Sequence, residues 1–305
     1  MRLTGFIDLP RHRAGGGFDH AAVHGREARL YVAHTSNDAL DVIDCAEDRF
    51  LHSIPNLAGV AGALVSEERG LVFTSNRGEG TVGIFRVGDE EHITRVEVGV
   101  RPNGLAFDPG RGLLLAANVG DPAQTDTHTV SVVDVERRTM IHSIPVAGRT
   151  RWAIFDGGTG CFHVNIAEPA QIAIIESERP TAVSRSIPIP ARGPHGLAYD
   201  PATNRLFCAC DAGKLFALDA PSGRILLAAD LSGTPDVMFL NAVQKHLYVA
   251  VGDPGVIDVF ETISLERIHA ILTEKGAHTI GFDPTRGKLY AFLPESHRAS
   301  VYLDE

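Results

Sequence analysis

Apolar residues in this 305-residue chain fall in short alternating runs broken by Gly, Pro, Asp and Asn, and nowhere in the spacing of an amphipathic helix. The clearest stretch predicts four short strands at 104–108, 113–117, 130–135 and 140–145, each rich in Val, Ile, Leu or Phe. The same layout recurs. RPNGLAFDPGRGLLLAAN from Arg101 returns as GPHGLAYDPATNRLFCAC from Gly193, as TPDVMFLNAVQKHLYVAV from Thr234 and as GAHTIGFDPTRGKLYAFL from Gly276. Weaker copies begin at Phe18, Val60 and Thr150, which makes seven.

Equivalent positions in the seven units are Asp19, Ala61, Asn103, Arg151, His195, Asp236 and His278, spaced 42, 42, 48, 44, 41 and 42 residues apart. That period is the length of a four-stranded propeller blade. The longest spacing comes from an insertion, VGDPAQTDTH, which predicts an extended loop between the second and third strands of the third unit. The seventh unit has room for only three strands, whereas LTGFIDL at Leu3–Leu9 precedes the first unit with no partner. The expected fold is therefore all-β, a single domain over 1–305. It is a seven-bladed β-propeller with four-stranded blades, its last blade closed by the N-terminal strand, which leaves no open array edge.

Composition narrows the functional classes. A formal net charge of −10, without a basic run, removes the electrostatic footprint of nucleic-acid binding. No apolar stretch is long enough to span a membrane, and the N-terminus MRLTGFIDLPRHR lacks the apolar core of a secretory signal. The expectation is a cytoplasmic protein, or a periplasmic one if a signal has been removed. Four cysteines do not make a disulfide framework, and Cys208 and Cys210 are poorly placed to bond to each other. There is no Walker loop, dinucleotide fingerprint or nucleophile elbow, and the Asp-Pro pairs at Asp108, Asp200 and Asp283 read as turns.

The motifs PNGLAFDP, LLLAAN and VSVVD of the third unit, PHGLAYDP and RLFCAC of the fifth, and RLYVAH and LDVID of the first resemble those of the YVTN, or YncE-like, seven-bladed propellers. The likeness covers nearly the whole chain. The second and fourth units lack the proline and the Asp-Pro pair, so their first-strand loops are expected to differ. The resemblance implies a binding or surface module, with propeller lyases and lactonases among more distant relatives. It transfers no catalytic residues.

In a propeller the residue x of P-x-G stands at the mouth of the central channel, and the end of the second strand returns to the same face. The first column reads Asp19, Ala61, Asn103, Arg151, His195, Asp236 and His278; its neighbour contributes His20 and Trp152, and the second-strand column His34, Asn165 and Cys210. His20, His195 and His278 with Asp236 are a candidate set for zinc, iron, manganese or copper. Asp19, Asp236 and Arg151 are the candidate catalytic groups. Asn103, Arg151, Trp152, His34 and Asn165 are the candidate substrate contacts, Arg151 suiting a carboxylate or phosphate. The register is loosest in the first unit, where either Asp19 or His20 faces the channel. Against this stand plainer readings: a polar ring at a wet mouth, Trp152 as packing, Arg151 as a solvated or paired charge. His163 is expected to be satisfied inside its sheet. Two functions follow, a metal-binding propeller acting on a small organic molecule by hydrolytic, lyase-like or oxidative chemistry, and a non-catalytic module binding a small ligand or a protein.

Overall fold

The computed structural model describes residues 1–305, Thr125 by its backbone alone. Twenty-eight strands form seven four-stranded antiparallel sheets arranged as a ring. Helical structure is confined, among the described residues, to single 3-10 turns at Thr35–Asn37 and Thr125–Thr127, the second inside the expected insertion. The third blade has strands Pro102–Asp108, Leu113–Asn118, Thr129–Asp134 and Thr139–Pro145, within two residues of the bounds drawn from alternation alone. The seventh blade is completed by Arg2–Asp8, which pairs antiparallel with Arg298–Leu303 from Arg2↔Leu303 to Asp8↔Arg298.

Alternation dictates the packing. Because successive side chains point to opposite faces of a sheet, each blade presents one apolar face to each neighbour. Between the third and fourth blades Leu115, Val130 and Val132 meet Phe162, Val164 and Ile175. Across the closure Ile7, Phe292 and Val301 meet Leu30, Val32 and Ile43. These side chains are almost wholly buried, so each contributes about 1.5–3 kcal/mol relative to exposure.

The first strand of each blade, nearest the axis, carries the feature that builds the site. In blades three to six its pairing skips two residues, between Pro102 and Leu105, Thr150 and Ala153, Pro194 and Leu197, and Pro235 and Met238. In blade two the skip is a single residue, Ala61. A bulge re-aims side chains out of the pleat, and here the bulged residues are the x and G of the repeat. The fourth unit, which lacks the proline, makes the same two-residue bulge as its proline-bearing neighbours, so the expectation of a different loop holds only for the second. The glycines are required by contact: a Cβ on Gly104 would sit 2.4 Å from the Arg151 carbonyl oxygen of the next blade.

Candidate functional site

The bulges bring the x-column together at one mouth of the channel. Arg151 Nη2 donates to Asp211 Oδ2 at 3.1 Å, and His195 Nδ1 donates to Asp211 Oδ1 at 2.7 Å. The other His195 nitrogen, Nε2, faces Asp236 Oδ1 at 3.1 Å, and Asp236 Oδ2 lies 3.9 Å from His278 Nε2. On the far side Arg77 Nη2 donates to Asn103 Oδ1 at 2.8 Å and reaches Asp19 Oδ2 at 3.4 Å. Asp19 Oδ1 is 3.4 Å from His20 Nε2, and the His20 ring lies 4.1 Å, centroid to centroid, from that of Trp152. His20 is the more deeply buried of the first-unit pair, and both line the mouth.

These contacts sort the protons. Burial pulls the His195 imidazole down, but Asp236 and Asp211 outweigh it and push its pKa up to about 9. Burial works equally against the Asp236 carboxylate, and His195, His278 and His20 reverse it, holding Asp236 below the usual range. Asp211 is lowered too, burial being overcome by His195 and Arg151. The inner pair goes the other way. Burial, with Asp236 adding to it, raises Asp19 against the pull of His20 and Arg77, and burial lowers His20 against Asp19 and Asp236. The mouth thus holds an ionised His195–carboxylate cluster beside a carboxyl and an imidazole biased toward their neutral forms, the kind of divergence that separates acid and base roles.

Several cations gather on blades two to four. Burial and then the charges of Arg151, Arg101 and Arg77 lower the pKa of Arg149, against Asp211, so three guanidiniums lie within electrostatic reach of Arg149. Arg77 Nε and Arg151 Nε are buried without a hydrogen-bond partner among the described residues. Arg101 adopts φ 55°, a left-handed position that glycine fills in blades two and five (Gly59 and Gly193). A non-glycine residue there costs about 1 kcal/mol.

For the metal set, His195 has carboxylates at both nitrogens and offers no lone pair. His278 Nδ1 is committed to the Gly276 carbonyl at 2.8 Å. Imidazole ligands must reach one point at about 2.0–2.1 Å, and among the described residues no group of three or more His, Cys, Asp or Glu is placed to hold an ion.

The second-strand column does not return to the mouth. His34 is fully buried, its Nδ1 bonded to Asp41 Oδ2 at 2.7 Å and its Nε2 to His12 Nδ1 at 2.7 Å. Side chains in that column fold back along the sheet onto the third strand, as Asn118 does to Thr129 and Ser131. Asn165 stands one register position earlier, since Thr150 pairs with Ile166 as Pro194 pairs with Cys210. Its Nδ2 donates to the His195 and Gly196 carbonyls at 2.9 and 3.1 Å, so it braces the bulge that carries His195. Ser75 does the same in blade two, donating to the Asn103 carbonyl at 2.7 Å. Cys210 is buried 4.0 Å from Cys208, and the cysteines are free. His163 is buried with its pKa lowered to about 4, chiefly by burial, but its Nδ1 has no hydrogen-bond partner among the described residues, against expectation.

The column that does reach the mouth is one residue beyond the second strand, where Arg77 and Asp211 stand. Both were missed, as were Arg101 and Arg149 just before the first strands; reading one residue past the second-strand column and two residues before the x-column would have exposed them.

No family model matches the chain, and no curated protein matches it. Among solved structures it is similar to a chain of the hydrazine synthase of Kuenenia stuttgartiensis, with TM-score 0.82, 13% identity and 97% of each chain covered. A chain of the mitotic checkpoint complex gives TM-score 0.82 at 11% identity, covering 99% of this chain and 92% of that one. Likeness at such identity establishes the propeller fold. Among the described residues no helix is long and apolar enough to cross a membrane.

Proposed function

We propose that this propeller binds a small organic anion at the channel mouth, through a carboxylate or phosphate held by Arg151, Arg149, Arg77 and Arg101. The observation that carries the reading is the guanidinium cluster itself. Arg101 and Arg149 have no acidic partner among the described residues, and two buried Nε donors point at none. Guanidiniums present paired donors that match such oxyanions. Asn103 and Trp152 complete the contact surface, one with an amide and the other with an apolar edge.

The inner pair supports a second step. With Asp19 biased toward its protonated form and His20 toward neutral imidazole beside it, a bound anion would find a proton donor and an acceptor in reach. Asp236 and Asp211 would hold His195 as a fixed positive charge. The metal reading of the same mouth keeps only His20, His278 and Asp236 as donors, to iron, zinc, manganese or copper. The repeat wording favours placing the chain with the YVTN, YncE-like propellers, as a ligand-binding module of that group.

Calorimetric titration with citrate, succinate and phosphate tests the reading, run beside Arg149→Ala/Arg151→Ala and with metal analysis of untagged protein. Binding that weakens with salt and falls roughly tenfold or more in the double variant is expected, as for loss of a charge-assisted contact. Unchanged affinity in the variant, or no binding to any of the three anions, would overturn it. A near-stoichiometric metal lost on His20→Ala/His278→Ala would move the site to the metal reading.

A further inference from the structure

The channel is two compartments. Where the second, third and fifth units place glycine next to the x-residue, the first has His20 and the fourth Trp152, and these rings lie against each other across the bore. Below them a cavity of about 510 Å³ runs to the opposite face, between the turns that carry Glu67, Glu68 and Pro109. First strands of blades one to six line it, with Ala22, Leu64, Phe107, Phe155, Leu197 and Leu240 among the wall residues. Leu64, Phe155 and Leu240 remain partly exposed inside the bore, an apolar surface left facing water.

The size, the blind end and the lining fit a small-molecule site, which is concave, mostly apolar and served by few polar groups. The charges at its opening decide the ligand class. No lysine or arginine lines the cavity. Of the nearby cations, Arg26 Nε lies 3.7 Å from Glu67 Oε2, and Arg69 turns to the Pro109 carbonyl and Glu136. Glu68 has no basic partner among the described residues. A carboxylate head would be repelled at the opening and unpaired inside, whereas burying a charge without a partner is costly. The hydrogen-bonding side chains at the blind end are His20 and the indole of Trp152.

We propose that this bore is a second site, for an uncharged, mainly apolar molecule inserted from the face bearing Glu67 and Glu68, with a hydroxyl or carbonyl group meeting His20 and the Trp152 ring as its end wall. It shares the His20–Trp152 partition with the anion site but is entered from the opposite face.

Trp152 is the only tryptophan in the chain, so its emission reports a ligand on either side of the partition, and octanoate is compared in the Arg149→Ala/Arg151→Ala background, where the anion mouth is silenced. The experiment titrates 1-octanol, octanoate and octylammonium into the protein below their aggregation limits and follows that emission. A saturable change with 1-octanol is expected, with octanoate at least about tenfold weaker, the scale of one poorly compensated charge. Octylammonium falls between them, since its charge has a partner only at the rim. Ala22→Leu should reduce 1-octanol affinity at least tenfold by filling the bore, and Arg151→Ala should leave it unchanged. Glu67→Gln/Glu68→Gln, which keeps a side-chain oxygen for the Gly25 and Arg26 amides, should narrow the gap between 1-octanol and octanoate. No saturable change, equal affinity for octanoate, or a gap indifferent to the two glutamates would each overturn the proposal, whatever the outcome at the anion site.

Discussion

His195 should resist deprotonation until well above neutral pH, and the fold should weaken when it yields. Its imidazole lies between Asp211 and Asp236 and is only 14% exposed. Its pKa of about 9 stands above the ordinary 6.5. At about 1.4 kcal/mol per tenfold the difference amounts to roughly 3 kcal/mol of stability. The sign follows from the raised value: the folded state holds the proton more tightly than the unfolded one. The contribution is therefore complete below pH 6.5 and disappears as pH rises through about 9. The assay is urea unfolding at intervals from pH 6 to 10, comparing the protein with His195→Gln, which has no imidazole to titrate. The stability gap between them should be widest near pH 6 and shrink by about 3 kcal/mol toward pH 10. A gap that stays constant across the range would refute the assignment of a charged His195 and the electrostatic reading of the mouth.

Two further substitutions follow from the geometry. Arg101→Gly should raise stability by up to about 1 kcal/mol, by relieving a left-handed residue, while weakening citrate binding; chemical denaturation and calorimetry on the same variant separate the two effects. Gly104→Ala should destabilise by about 1–3 kcal/mol, because the new methyl meets the Arg151 carbonyl of the neighbouring blade and the bulges must shift, which a lowered midpoint in urea would register.

How far the sequence could be read depended on what each signal measures. Alternation and period measure which face of a strand is buried, so the blade count, the strand bounds and the pairing of Arg2–Asp8 with the last strand were all legible. The x-column was legible for the same reason, since proline and glycine mark the bulge that aims Asn103, His195 and Asp236. A repeat alignment carries no information about which way a strand's final side chain turns. His34 therefore entered the site on position alone, although it lies buried against Asp41. Asn165 was displaced by one residue because its unit ends in Asn-Ile where others end in the paired residue itself. Asp211, which together with Asp236 holds the charge of His195, has no motif. Its place one residue past the second strand and its distance to His195 within the same blade reveal it.

The closing strand also sets a clock. Arg2–Asp8 cannot find its partner until Arg298–Leu303 has been made, so the earliest-made strand of the ring is the last to be used. At about 5–20 residues per second, it waits roughly 15–60 s as an unpaired edge. During that interval Leu3 and Phe6, both half-exposed even in the finished ring, are open to any other strand nearby. The ring that hides its edges once complete thus exposes one throughout synthesis, and the yield of folded protein should depend more on how fast the chain is made and shielded than on how stable it finally is.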